Sequence, residues 1–159
     1  MLAMLAVGAA LWASAPAEAD APPTPTGVWA GTVSFFTVYL PGESYERARM
    51  TLTFKGRTAV LVASGKTGAS HDPSSATATC TNTFRLVGSE GGWLVFRQSS
   101  PGSTKGEGGV LNGPCTGMSP TARGGLRVRP AGRRLKAEMG MQLRDDPPRW
   151  DYRSYLTRA

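Results

Sequence analysis

Histidine, cysteine and acid are scarce in this 159-residue chain: one His, two Cys, and 11 Asp/Glu against 18 Lys/Arg. One histidine (His71) and two cysteines fall short of the ligand set of a structural zinc site, so no metal is expected. Also missing is an apolar run of about 20 residues, the length a membrane-spanning helix takes. No stretch of ten or more residues keeps a helical apolar stripe, because 20 Gly and 12 Pro interrupt the pattern. These absences exclude a helical bundle and a helical membrane protein. With hydrophobic residues at 40%, a core can form and wholesale disorder is excluded as well.

The first nineteen residues read as an export signal. Leu2 to Ala15 is apolar or small without one charge, and Ala17-Glu18-Ala19 offers small residues where a signal peptidase reads, placing cleavage before Asp20. No cysteine lies near the cut to carry a lipid, and no second long apolar segment follows. A secreted, extracytoplasmic protein is therefore expected, with no transmembrane segment after cleavage and no nucleic-acid partner. Cys80 and Cys115 fit an oxidising compartment as a disulfide, two free thiols or a metal pair being the alternative. A bridge would close a loop of about 35 residues, worth about 3–4 kcal/mol on the chain-entropy model.

Residues 20–26, Asp-Ala-Pro-Pro-Thr-Pro-Thr, form a proline-rich leader, and one domain follows over 27–159. From Gly27 to Leu40 the period is two. Met50, Leu52 and Phe54 then alternate with polar residues up to a Lys55-Gly56 turn, and Ala59 to Ala63 returns. Ser64 to Thr79 reads as a loop. A second hairpin joins Thr81–Val87 to Trp93–Gln98 around Ser89-Glu90-Gly91-Gly92. Ser99 to Gly109 is another loop, and Val110-Leu111 a short strand. Leu126–Arg129 and Leu135–Leu143 make a third hairpin around Pro130-Ala131-Gly132, and Trp150 to Thr157 closes the chain. About eight short strands in consecutive hairpins must close on themselves to protect their edges. The expected fold is all-β, a single antiparallel barrel, with a two-sheet β-sandwich as second choice. Trp29, Gly31, Phe54, Phe84, Trp93 and Phe96 are the expected base and core.

Gly27-Val28-Trp29-Ala30-Gly31 carries a resemblance. A Gly-x-Trp at the start of the first strand resembles the opening motif of the lipocalin and wider calycin barrels. The resemblance implies that Trp29 plugs the closed end beneath a late-strand arginine, for which Arg144 and Arg153 stand in this sequence. The Thr-Asp-Tyr of lipocalins proper is absent. The later layout, Cys80, Pro114-Cys115 and the final hairpin, is similar to small exported domains of actinobacteria, some attached to membrane serine/threonine kinases.

No catalytic set is legible. Ser70-His71-Asp72 with Ser74 and Ser75 is consecutive in one loop, where side chains cannot converge as a triad requires. No Gly-x-Ser-x-Gly occurs, and Gly106-Glu107-Gly108-Gly109 lacks the Lys-Ser/Thr of a phosphate loop. Asp145-Asp146 lacks the alternating oxygens of a calcium loop. The positive signal is basic: residues 123–159 hold ten Lys/Arg against four Asp/Glu. Arg127, Arg129, Arg133, Arg134 and Lys136 flank one turn, forming a candidate anion-binding set. The expected function is a non-catalytic binding or sensing module without cofactor. Its ligand is either a small apolar molecule in the barrel or an anionic envelope polymer on the basic hairpin. A protein-binding inhibitor or structural partner of a secreted protein is the alternative, contacting through Ser64–Thr79 or Ser99–Gly109, and a small hydrolase comes after that.

Overall fold

The computed structural model describes residues 21–36, 45–66, 77–105, 122–143 and 149–159. The strands are β1 (Gly27–Phe36), β2 (Tyr45–Lys55), β3 (Thr58–Lys66), β4 (Thr77–Glu90), β5 (Trp93–Gln98), β6 (Ser103–Lys105), β7 (Ala122–Ala131), β8 (Arg134–Leu143) and β9 (Arg149–Arg158). No helix occurs among the described residues. Around the sheet the order is β3-β2-β1-β9-β8-β7-β5-β4, and β4 pairs back onto β3 to close an antiparallel ring of eight staves. The short β6 adds no stave of its own. It pairs with Thr79–Thr81 of β4 while β5 pairs with Phe84–Glu90 of that strand, so β5 and β6 are two pieces of one stave broken at residues 99–102. The chain is thus an up-and-down barrel, and the sandwich is set aside.

Three two-residue turns, Gly56-Arg57, Gly91-Gly92 and Gly132-Arg133, lie at one end, where β1 also starts and β9 finishes. Gly91 (φ 54°) and Gly92 (φ 77°) both sit in the left-handed region, as the tight hairpin turn that matches strand twist demands. This end is the base. The connections at the opposite end fall outside the described residues, as do residues 1–19, His71-Asp72, Gly106–Gly109, Val110-Leu111, Cys115, Arg144 and Asp145-Asp146.

Several boundaries differ from expectation: Ser89-Glu90, Ser103–Lys105 and Ala122–Gly125, expected as turn, loop or outside the last hairpin, are strand. The final hairpin turns at Gly132-Arg133, with Pro130 and Ala131 still paired to Leu135 and Arg134. Pro130 is tolerated because it sits at a strand end. Part of the expected Ser64–Thr79 loop is strand: Ser64, Gly65 and Lys66 pair with Thr79, Ala78 and Thr77. The Thr79 hydroxyl donates to Ser64 Oγ at 3.1 Å, a cross-strand pair of the kind that supports a polar ladder.

Inward positions alternate with outward ones on every long strand. Phe54, Phe84 and Phe96 are buried, with the Phe54 and Phe96 ring centroids 5.8 Å apart. Burying each such side chain contributes about 1.5–3 kcal/mol. Leu52, Leu61, Leu94, Leu126, Leu135 and Leu156 complete the lower interior. Toward the other end the inward residues become small or polar: Ala48, Ala63, Cys80, Asn82, Gln98 and Ser154. Gln98 ties this region together, accepting from Gly124 N at 2.8 Å and donating to the Ser100 carbonyl at 3.0 Å.

Trp29 packs on the core at the base and donates from Nε1 to the Thr26 carbonyl at 3.1 Å. Gly31 lets β1 and β9 approach closely beside their paired residues. A Cβ there would lie 2.7 Å from Leu156 Cδ2 and 2.9 Å from the Tyr155 carbonyl oxygen. The cross-strand neighbour of Trp29 is Arg158, whereas Arg153 pairs with Glu138, so Arg153 is not the arginine beneath the tryptophan. Trp93 is a second correction: it is no member of the core. Leu94, Phe96 and Gln98 point inward from β5, which leaves Trp93 and Val95 on the outer wall.

Candidate functional site

The outer wall of β5, β7, β8 and β9 carries the one dense polar cluster among the described residues. Cross-strand register sets its side chains in rows. One row holds Val95, Arg127, Glu138 and Arg153. The next row toward the base holds Arg129, Lys136 and Tyr155, with Trp93 at its β5 end. On the far side Arg97 is followed by Gly125 and Gly140.

Glu138 is the hub. It points outward yet is only 2% exposed, because cations cover it. Arg127 donates to Oε2 from Nε at 2.8 Å and also from Nη2. Lys136 Nζ lies 2.9 Å from Oε1, and Arg153 Nε lies 3.5 Å from the same oxygen. Burial pushes the Glu138 carboxyl up, but the Lys136 and Arg127 hydrogen bonds and charges outweigh it and hold the group below its ordinary value. It is therefore an ionised counter-charge shared by three cations.

Aromatic rings hold Arg127 and Lys136 from the sides, and two further arginines with them. The Arg127 guanidinium carbon sits 4.4 Å from the Trp93 ring centroid and 4.6 Å from that of Trp150. Arg129 lies 4.5 Å and the Lys136 ammonium 5.2 Å from the Trp93 ring, and Arg134 lies 5.1 Å from the Tyr155 ring. Each such contact contributes about 0.5–1 kcal/mol when exposed and about 2 kcal/mol when water is excluded. Arg127, at 27% exposure, lies between these limits.

Two glycines make the wall possible. The Trp150 ring lies on Gly125, where a Cβ would be 3.3 Å from ring carbons Cη2 and Cζ3. Across from it, β8 and β9 shift register between Met139 and Met141. At that bulge a Cβ on Gly140 would collide with the Arg149 carbonyl. The bulge re-aims β9 so that Trp150 reaches the outer wall.

Of the expected anion-binding set, Arg127, Arg129, Arg134 and Lys136 share this wall, while Arg133 is exposed at the hairpin tip. Arg127 is mainly structural, and Arg129 and Arg134 stand over aromatic rings without a carboxylate partner among the described residues. Glu138, Trp93, Trp150 and Arg153 complete the site and were not in that set. Such an arrangement displays fixed positive charge, suited to an oxyanion-rich ligand.

Among the described residues no group of three or more His, Cys, Asp or Glu gathers to hold a metal, and no helix is long and apolar enough to cross a membrane. Eight antiparallel strands closed in meander order, with a tryptophan at the base, are consistent with a calycin-like barrel. No protein-family model, curated protein or solved structure matches the chain.

Proposed function

We propose that this chain is an exported, non-catalytic binding module that holds an anionic envelope polymer on the outer wall of β5 to β9. The observation that carries this reading is the display of Arg129 and Arg134 over Trp93 and Tyr155, beside an Arg127–Glu138–Lys136 hub that fixes the surface. Cations already held in place lose little side-chain freedom on binding, which raises affinity per contact. The alternative of a small apolar ligand in the interior has less support, since Phe54, Phe84 and Phe96 occupy the lower barrel in one packed cluster. Of the loops that would serve a protein partner, residues 67–76 and 106–109 lie outside the described residues, and Ser103–Lys105 of the second is committed to pairing with β4.

The test is salt-dependent retention on a heparin or polyphosphate matrix. An Arg129→Gln/Arg134→Gln double variant is expected to elute at lower salt, because surface charges act through screened attraction. Unchanged elution overturns the reading. Co-purification with a secreted protein, in place of polymer, favours the partner alternative. Export carries its own test through Cys80, which is buried on β4. The unfolded, unreduced protein should show no reactive thiol, and two reactive thiols would remove the Cys80–Cys115 bridge.

A further inference from the structure

We infer that the anion site is one end of a track along which a single linear polyanion crosses five staves, from Arg134 on β8 and Arg153 on β9 to Arg85 on β4. The inference rests on the polyanion reading above and adds a second cationic station, its direction and its preferred ligand shape.

The second station is Arg85 and Arg97. They are directly opposed in the β4–β5 register, and both are exposed. Their inward neighbours Phe84 and Phe96 are buried, so both arginines face out. Like charges directly opposite across a strand pair destabilise it, and no carboxylate pairs with either among the described residues. An oxyanion lying between them removes that repulsion and takes up their planar donors.

The two stations are continuous. Arg97 registers with Gly125, whose outer side is covered by the Trp150 ring, and that ring is one of the two that hold Arg127. From Arg127 the cations run on through Lys136 and Arg129 to Arg153 and Arg134. Where side chains are described, the carboxylates of this half are Glu138, beneath the cations, and Glu90, at the β4–β5 turn. With strands about 4.8 Å apart, β4 to β9 spans about 19 Å of wall.

Curvature decides between a polymer and a lipid surface. From β4 to β9 the track crosses four of the eight intervals of a closed ring, half its circumference. A flat bilayer can touch only part of such an arc at once, whereas a flexible chain follows it. A linear polymer bearing phosphate or sulfate groups therefore fits all the cations, and an anionic membrane does not.

The experiment uses the whole protein with three probes: tripolyphosphate, long-chain inorganic polyphosphate, and phosphatidylglycerol vesicles. The variants are Arg85→Gln/Arg97→Gln and Arg129→Gln/Arg134→Gln, all at exposed positions, with urea midpoints to confirm an intact fold. The track predicts tighter binding per phosphate by the long chain than by tripolyphosphate. It also predicts that Arg85→Gln/Arg97→Gln lowers long-chain affinity about tenfold and flattens the slope of log K against log salt by about two. Tripolyphosphate binding in that variant should fall far less than long-chain binding, because the Arg129–Arg134 station is left intact. Unaltered long-chain affinity overturns the track, and so does binding to vesicles as tight as to the polymer. If the wild type binds no probe, or Arg129→Gln/Arg134→Gln changes nothing, the polyanion reading itself fails.

Discussion

The outer wall of β1 to β4 and the outer wall of β5 to β9 obey the same pleat but spend their outward positions differently. On the first, Val28, Thr51, Thr53, Thr58, Val60, Val62, Thr81 and Thr83 supply β-branched side chains that suit a strand on their own, with Arg49 and Lys55 along β2 and Arg85 at its β4 edge, opposite Arg97 of the second wall. On the second, outward positions go to Gly125 and Gly140, to adjacent cations, and to a carboxylate taken out of water. Glycine weakens a strand, and a buried ion pair barely offsets its own desolvation. The first wall is locally consistent with the fold, while the second departs from it several times within a few residues. Departures concentrated in one place are expected where a surface serves something besides folding.

The sharpest way to break that contrast is at its glycines. Gly140→Ala places a Cβ into the Arg149 carbonyl, so the β8–β9 bulge must rearrange, at a cost of about 3 kcal/mol in urea unfolding. A loss below about 1 kcal/mol would mean the bulge is not fixed by Gly140. Trp150→Ala comes next, at about 2 kcal/mol, since it uncovers Gly125 and removes one of the two rings beside Arg127. On the other wall Val62→Ala, at a position 37% exposed, should cost well under 1 kcal/mol. Equal losses at Trp150 and Val62 would erase the distinction.

The fold was legible because period two survives between glycine-marked turns, and Gly56, Gly91-Gly92 and Gly132 all mark two-residue hairpin loops. Strand ends were less so: threonine and serine next to a polar loop look like loop until a partner strand is placed beside them, as at Ser64 and Thr79. The basic hairpin was also visible, since Arg127, Arg129, Arg134 and Lys136 follow from the alternation of two adjacent strands. Trp93 was misplaced although parity distinguishes it: Leu94 and Phe96 face in, so a residue of opposite parity must face out. Glu138 was hidden for a different reason, because its burial depends on side chains from β7, β8 and β9 meeting over it. The seat of Trp150 depends on a bulge, which alternation along one strand does not reveal.

The two walls should also respond differently to acid. The described outward residues of β1 to β3 include no carboxylate, whereas Glu138 is held below its ordinary value of 4.5. As pH falls toward that range the unfolded chain takes up the proton first, so stability from Glu138 is complete above the unfolded value. It is lost as pH drops through the depressed folded value. At pH 7 Glu138→Gln should cost about 2 kcal/mol, less than a fully buried pair because Arg127 and Arg153 keep contact with water. The gap between wild type and Glu138→Gln should narrow as pH falls below 4.5. A gap that is constant with pH would show that Glu138 contributes by shape and not by charge.

The smallest expected effect separates a site from mere net charge. Lys55 and Arg129 are both exposed cations, one on each wall, and removing either lowers the net charge of +7 by one. If polyanion binding reflects only long-range attraction, Lys55→Gln and Arg129→Gln should shift elution from a polyphosphate matrix alike. If the ligand lies against the rings and cations of β5 to β9, Lys55→Gln should leave both the elution position and the salt slope within error. Arg129→Gln should then lower the slope by about one, as loss of a single contact does. Equal shifts would demote the wall to a diffuse positive surface, because the aromatic support under Arg129 would no longer distinguish it from a lysine on a threonine-lined strand.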